Sequence, residues 1–259
     1  MVGTAVITGA SSGIGAVYAD RLAHRGFDLV LVARDERRLE AVAERVREET
    51  GQSVEVLVAD LGARDGVQRV EQILAWRDDI VMLVNNAGVG STSALVDSDA
   101  DAMEQMIAVN VTALTRLSYA FVPAAVRRGA GTVINIGSVV GVAPEFLNGV
   151  YGATKAYVLA FTQSLHSELS GTGVQVQAVL PNATATGFWA AAGSPLGNPA
   201  EVMSAEALVD AALIDLDRDE LVSIPPLHDD AQWSSYESAR ETLKANFGAA
   251  VPAPRYSLT

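Results

Sequence analysis

Short runs of apolar, largely β-branched residues alternate along this chain with segments of helical periodicity, and that alternation limits its fold more than any other feature. The runs are Val2–Thr8, Leu29–Ala33, Val54–Ala59, Ile80–Asn85, Thr132–Ser138, Val174–Leu180 and Leu221–Ile224. Strands that are apolar throughout, rather than at every second residue, need cover on both faces, and a helix after each strand supplies it. The segment after Gly13 reads as a helix to about Arg25, and Leu39, Val42 and Val46 place an apolar stripe on the next one. A last helix is expected within Asp229–Asn246. The expected product is α/β, a doubly wound parallel sheet of about seven strands with helices on both faces, built by residues 1–259 as a single domain. No linker, internal repeat or low-complexity stretch divides the chain.

Composition narrows the partners. The 259 residues carry a formal charge of −13 and no cysteine. An acidic chain lacks the basic stripe that nucleic acid binding draws on, and the missing thiols exclude disulfides, thiolate metal sites and cysteine nucleophiles. The apolar runs read as too short and interrupted for a membrane span. A strand beginning at Val2 leaves no room for a leader, so a cytoplasmic protein acting on small molecules is expected. His24, His166 and His228 have no metal-ligand spacing, and Asp97, Asp99 and Asp101 read as helix capping, so no metal is assigned.

In a doubly wound sheet ligands bind beyond the carboxyl ends of the strands, where strand order reverses. Gly9, Asp60, Asn85-Asn86-Ala87-Gly88, Ser138 and Pro181-Asn182 all fall at such ends. The first of them opens a glycine turn, Gly9-x-x-x-Gly13-x-Gly15, between a strand and a helix. Such a turn lets backbone N–H groups approach a pyrophosphate, whose charge is favoured at a helix N-terminus.

Tyr151 and Lys155 stand four residues apart, about one helical turn, so phenol and ammonium emerge on one face. At a separation of about 5 Å and an effective dielectric of about 20, Coulomb's law gives roughly 3 kcal/mol, or about 2 units off a phenol that titrates near 10. The expectation is a phenol drawn toward neutral pH, suited to give a proton to a carbonyl or take one from an alcohol.

These residues, in order and spacing, resemble the short-chain dehydrogenase/reductase family over Val2 to Ile224: the glycine run, Asn86-Ala87-Gly88, Asn110, and the set Ser138, Tyr151, Lys155. The resemblance implies a Rossmann fold and a catalytic set of Asn110, Ser138, Tyr151 and Lys155. In it Tyr151 is the acid/base and Ser138 polarises the carbonyl. Lys155 lowers the phenol pKa and binds the nicotinamide ribose, and Asn110, at a helix kink, holds a water beside the lysine. It further implies cofactor contacts from Gly9, Ser11, Ser12, Gly13, Ile14 and Gly15 in the turn. Asp60 would hydrogen-bond the adenine, Asn86 would line the adenosine ribose and Thr186 would contact the nicotinamide carboxamide, with Leu61, Ala87, Gly88, Pro181 and Thr184 also at the cofactor. A carboxylate at the end of strand two suits the ribose 2′-hydroxyl, whereas a guanidinium suits a 2′-phosphate. Here Ala33 is followed by Arg34, with Ser11 and Arg38 as further donors, so NADP(H) is expected over NAD(H).

The segment 187–203 reads as a substrate flap, with Val140, Pro144, Phe146, Leu147, Asn182, Phe188 and Trp189 as lining. That lining is apolar and favours a hydrophobic ketone, aldehyde or secondary alcohol. Asn182 stands where the family usually has glycine, and asparagine tolerates positive φ there. The alternatives are a 3-oxoacyl thioester reductase, a steroid or polyol dehydrogenase and, more remotely, a non-catalytic NADP-binding sensor. Gly187–Met203 contains no Lys or Arg to dock an acidic carrier protein. The resemblance also implies a homo-oligomer, dimer or tetramer, through the helices before strand five and around Tyr151, with Ala156, Leu159, Ala160 and Phe161 on the mating face. The tail 249–259 lacks helical periodicity.

Overall fold

The structure, a computed structural model, describes residues 2–147, 149–193 and 202–256. Part of the expected flap, residues 194–201, and the last three residues of the tail lie outside the described residues. The chain forms two compact units, residues 1–225 and 226–259.

In the first unit strands and helices alternate as β1 (Thr4–Thr8), α1 (Gly13–His24), β2 (Asp28–Ala33), α2 (Glu36–Thr50), β3 (Val54–Val58), α3 (Arg64–Trp76) and β4 (Ile80–Asn85). The second half runs α4 (Ala100–Ile107), a wide π-turn (Ala108–Ala113), α5 (Leu114–Arg128), β5 (Gly131–Ile136), α6 (Gly149–Glu168), β6 (Val174–Val179), α7 (Phe188–Ala191), α8 (Ala205–Asp217) and β7 (Val222–Ser223). All seven strands are parallel, in the order β3-β2-β1-β4-β5-β6-β7, so their carboxyl ends share one rim. The direction of winding reverses between β1 and β4, which is where the crevice of such a sheet opens.

Burial follows the pleat. Ala5, Ile7, Leu29, Leu31, Met82, Val84, Ile134 and Val179 point to one face and pack with α1, α2 and α8. Val6, Val30, Val32, Leu83, Val133 and Val176 point to the other and pack with α3, α5 and α6. Local chemistry sets the ends of the elements. The Asp35 carboxylate caps α2 by accepting from Arg38 N–H at 3.0 Å, and the helix stops where Gly51 turns left-handed at φ 72°. Gly3, at φ 115°, delays β1 to Thr4.

One helical run, Ala100–Arg128, is long and apolar enough to cross a membrane by length and composition, which corrects the expectation that every apolar run is too short. Its apolar side packs on the sheet through Ala113, Leu117, Phe121 and Ala125. Among Asp97, Asp99 and Asp101, Asp99 caps α4, accepting from Asp101 N–H at 2.9 Å. Leu159 is corrected as a mating-face residue, since it is buried within the chain itself, while Phe161 is half-buried and packs against the core beneath α5 and α6.

The second unit carries α9 (Asp230–Ala245), capped by Asp229, with Trp233 stacked on Tyr236 at 5.0 Å and Arg240 paired with Glu237 at 2.8 Å. No residue of α9 is buried.

Candidate active site

The glycine turn is built by contact as much as by backbone freedom. Gly9 and Gly13 take φ of 66° and 55°, a region L side chains avoid. A Cβ on Gly13 would lie 2.8 Å from Thr186 Cγ2, and one on Gly15 would press on the Gly9 carbonyl and on Asn86 Nδ2. The turn is tied to β4 by Thr8, whose hydroxyl donates to Val84 O at 3.2 Å and accepts from Asn86 N–H and Ala87 N–H, both at 3.0 Å. The Asn86 side chain donates to Thr8 O at 2.8 Å and Gly9 O at 3.2 Å, so it holds the turn itself.

These residues fit a dinucleotide. The three glycines leave a cradle that side chains would fill, and the Ser12 side chain does not cap α1, which leaves its first amides facing the cradle. Asp60, beyond β3, accepts from Gly62 N–H at 2.9 Å and is half-buried, while Leu61 is buried. Arg34, directly after β2, is exposed and has no ion-pair partner among the described residues, whereas Arg38 pairs with Asp35 at 3.4 Å.

Ser138, Tyr151 and Lys155 converge at the end of β5, and at most 8% of any of them is exposed. The Ser138 hydroxyl donates to Pro181 O at 3.3 Å, accepts from Val140 N–H at 3.3 Å, and shares a hydrogen bond with the Tyr151 phenol. Lys155 Nζ donates to Ile136 O at 2.9 Å and lies 5.8 Å from the centre of the Tyr151 ring. Asn110 sits inside the π-turn. Its Oδ1 accepts from Val89 N–H at 2.9 Å, while its Nδ2 donates to Val89 O at 2.8 Å and Thr154 Oγ1 at 3.1 Å.

The phenol does not titrate where helix spacing alone places it. Burial pushes Tyr151 up to about 12, with the Ser138 hydroxyl pulling the other way, and burial pushes Lys155 down to about 8. Desolvation penalises both charged forms and outweighs the attraction computed from spacing. Tyr151 is thus a protonated phenol at neutral pH, and Lys155 remains mainly an ammonium there.

The expected lining is brought together in part. Val140, Leu147 and Phe188 form one apolar cluster with Tyr151, joined by Val89, Met103, Met106 and Val150, which sequence reading missed. Gly88-Val89-Gly90, a glycine-flanked valine, was the available signal for Val89; Met103 and Met106 carried none, since they belong to a helix distant in sequence. Phe146 is 71% exposed and stands outside the cluster, and Pro144 lies against Gly152, the residue after Tyr151. Trp189 lies edge-on to Phe188 and donates its indole N–H to Thr184 O at 3.0 Å. Asn182 is exposed, and its φ is not positive: Asp219 alone among the described non-glycine residues has that conformation. The base of the expected flap is pinned where Ala185 N–H donates to Met203 O at 2.9 Å and Met203 N–H to Ala183 O at 3.2 Å.

A glycine cradle at the switch point of a parallel sheet, with a buried serine, tyrosine and lysine beside it, defines the class of nucleotide-dependent oxidoreductases. The family pattern described as short chain dehydrogenase matches residues 3–196, and this chain belongs to that family. A solved short-chain dehydrogenase from Sphingobium yanoikuyae, in complex with NADPH, is 51% identical over 98% of this chain and 100% of its own, with a TM-score of 0.95. The bulky-bulky ketone specific alcohol dehydrogenase from Comamonas testosteroni is 46% identical over 99% of each chain, with a TM-score of 0.91. The very-long-chain 3-oxoacyl-CoA reductase of Anas platyrhynchos is 35% identical over 188 residues, which are 70% of this chain and 60% of that protein.

Proposed function

We propose that this protein is an NADPH-dependent carbonyl reductase, reversible as a secondary alcohol dehydrogenase, acting on hydrophobic ketones or aldehydes as a homo-oligomer in the cytoplasm. The observation that carries the reading is the buried Ser138–Tyr151–Lys155 set opening onto an apolar cluster beside the glycine cradle. NADPH would be held by the turn Gly9–Gly15, by Asp60 and Leu61, by Asn86-Ala87-Gly88, and by Thr184 and Thr186, with Arg34 and Arg38 at the 2′-phosphate. When bound, it supplies the hydride.

The protein's own groups manage the proton and the oxygen. Burial keeps the Tyr151 phenol protonated and makes it a weaker acid than a free phenol, so its proton moves to the carbonyl oxygen only as negative charge develops there. The Ser138 hydroxyl, on a long 3.3 Å bond to Pro181 O, can rotate toward the same oxygen and orient it. Giving up the proton leaves a phenolate, and the Lys155 ammonium on the neighbouring turn favours that charge. Asn110 fixes Thr154, whose hydroxyl donates to Tyr151 O at 2.8 Å, and so holds the helical turn that carries both groups. Positive charge at Arg34 favours NADP(H) over NAD(H).

A second reading, reduction of a 3-oxoacyl thioester, is favoured by likeness to the Anas platyrhynchos reductase. Initial rates of NADPH and NADH oxidation against apolar ketones, aldehydes and one 3-oxoacyl thioester separate the two. Turnover with NADPH on ketones, abolished by Tyr151→Phe, is the expected result. Preference for the thioester moves the substrate class, and no turnover on any of them overturns the reductase reading.

A further inference from the structure

We infer that the Phe188 side chain gauges the size of the substrate group beside the reacting carbonyl, and that Gly90 is the seat that holds its ring there; this rests on the carbonyl-reductase reading. The Gly90 backbone is not in the left-handed region, so any residue could adopt its conformation, and only space requires glycine. A Cβ added to it would land on Phe188 Cζ, with Cε1 and Cε2 at 3.1 and 3.2 Å, so the tip of the ring points into the gap a side chain would fill.

The seat is rigid. Asn110 takes both backbone groups of Val89, the residue before Gly90, in hydrogen bonds of 2.8 and 2.9 Å. On its other sides the ring meets Tyr151, centroids 5.8 Å apart at 44°, and the edge of Trp189 at 5.6 Å and 86°. Trp189 is itself anchored to Thr184 O.

A carbonyl that takes a proton from Tyr151 must bring one of its substituents against this ring. The hydrophobic side chains that pack with it are Val89, Met103, Met106, Val140, Leu147 and Val150. The chemistry that fits is an uncharged ketone whose larger group is flat or aliphatic and lies along the phenyl face. A charged or polyhydroxylated group would lose its water without replacement.

The test is kcat/KM with NADPH over a graded series of phenyl alkyl ketones, methyl through pentyl, for the wild type, Phe188→Ala, Gly90→Ala and the double variant. Phe188→Ala is expected to raise the ratio of longest to shortest ketone about 10-fold, through KM, the scale of a methylene or two in an apolar pocket. Gly90→Ala drives the ring off its seat toward Tyr151 and is expected to lower that ratio several-fold. With the ring removed, the same Gly90→Ala change is expected to do nothing. An unchanged ratio in Phe188→Ala, or an equal effect of Gly90→Ala with and without the ring, overturns the inference. If the wild type reduces no ketone at all, the reductase reading fails. The seat is then judged by thermal unfolding: Gly90→Ala lowers Tm when Phe188 is present and not in Phe188→Ala, and absence of that coupling sinks it.

Discussion

Lys155→Met is expected to stabilise this protein at neutral pH while destroying its activity. Burial lowers the lysine from 10.5 to about 8, so below pH 8 the folded protein carries a charge that water would hold more comfortably. That displacement corresponds to roughly 3 kcal/mol of lost stability. Methionine matches the length of the stem without the charge, but it gives up the 2.9 Å charged hydrogen bond and leaves Ile136 O unpaired, which costs about 2 kcal/mol. The net expectation at pH 7 is a gain of about 1 kcal/mol, or roughly 2–4 °C in Tm for a chain of this size. Between pH 8 and 10.5 the unfolded lysine is still protonated and the folded one is not, so wild-type stability rises with pH through that window. The advantage of the variant should therefore shrink as pH climbs from 8 to 10.5. Thermal unfolding of both proteins without nucleotide, from pH 6.5 to 10.5, reads it directly, and other titrating groups cancel in the difference. A variant less stable at pH 7, or a difference that does not change with pH, would refute the claim that desolvation governs Lys155.

Tyr151→Phe should lower kcat with NADPH by about 10³-fold while nucleotide binding persists, because it removes the acid and leaves the cradle intact; rapid kinetics with the best ketone and nucleotide titration check the two halves. If Arg34 meets the 2′-phosphate as proposed, Arg34→Ala should raise the KM for NADPH about 10-fold or more and leave that for NADH nearly unchanged. Gly13→Ala should weaken binding of both nucleotides and cost about 1–2 kcal/mol in unfolding, because its φ of 55° and the 2.8 Å approach to Thr186 leave no room for a methyl. Asn110→Ala, read by kcat and by hydrogen exchange at Val89, should reduce turnover and expose that amide, while Asn110→Asp, which keeps the acceptor, should protect it.

The sheet was legible because its strands are apolar on both faces, a pattern that leaves no choice but a parallel sheet under two helical layers. The strand positions hold to within two residues; β1 starts two residues late, after Gly3 at φ 115°, and β5 stops two residues early at Ile136. The Tyr151–Lys155 neighbourhood was legible for the same kind of reason, a fixed helical rise. The direction of the phenol's shift was not, since spacing supplies the Coulomb attraction but says nothing about the desolvation that exceeds it. Phe146 and Met106 mark the same limit. A residue close in sequence to the site turned outward, and one from α4, some 45 residues before Tyr151, came in. Leu159 was likewise read as a mating face when its own core takes it. Pattern reports which face is apolar, and tertiary packing decides against what.

Asn110 explains why a helix that covers the sheet is broken by a wide π-turn at this point. A regular α-helical turn spaces its side chains for contact with a neighbouring helix; the extra residue per turn lets one side chain serve two partners outside the helix. One is the backbone of Val89, which positions Gly90 and through it the Phe188 ring. The other is Thr154, which ties down the turn of α6 that carries Tyr151 and Lys155. On the proposed reading, the acid Tyr151, the cation Lys155 and the apolar wall at Phe188 are thereby referenced to one amide. A site proposed to give a proton to one oxygen while gauging the group beside it gains from that shared reference.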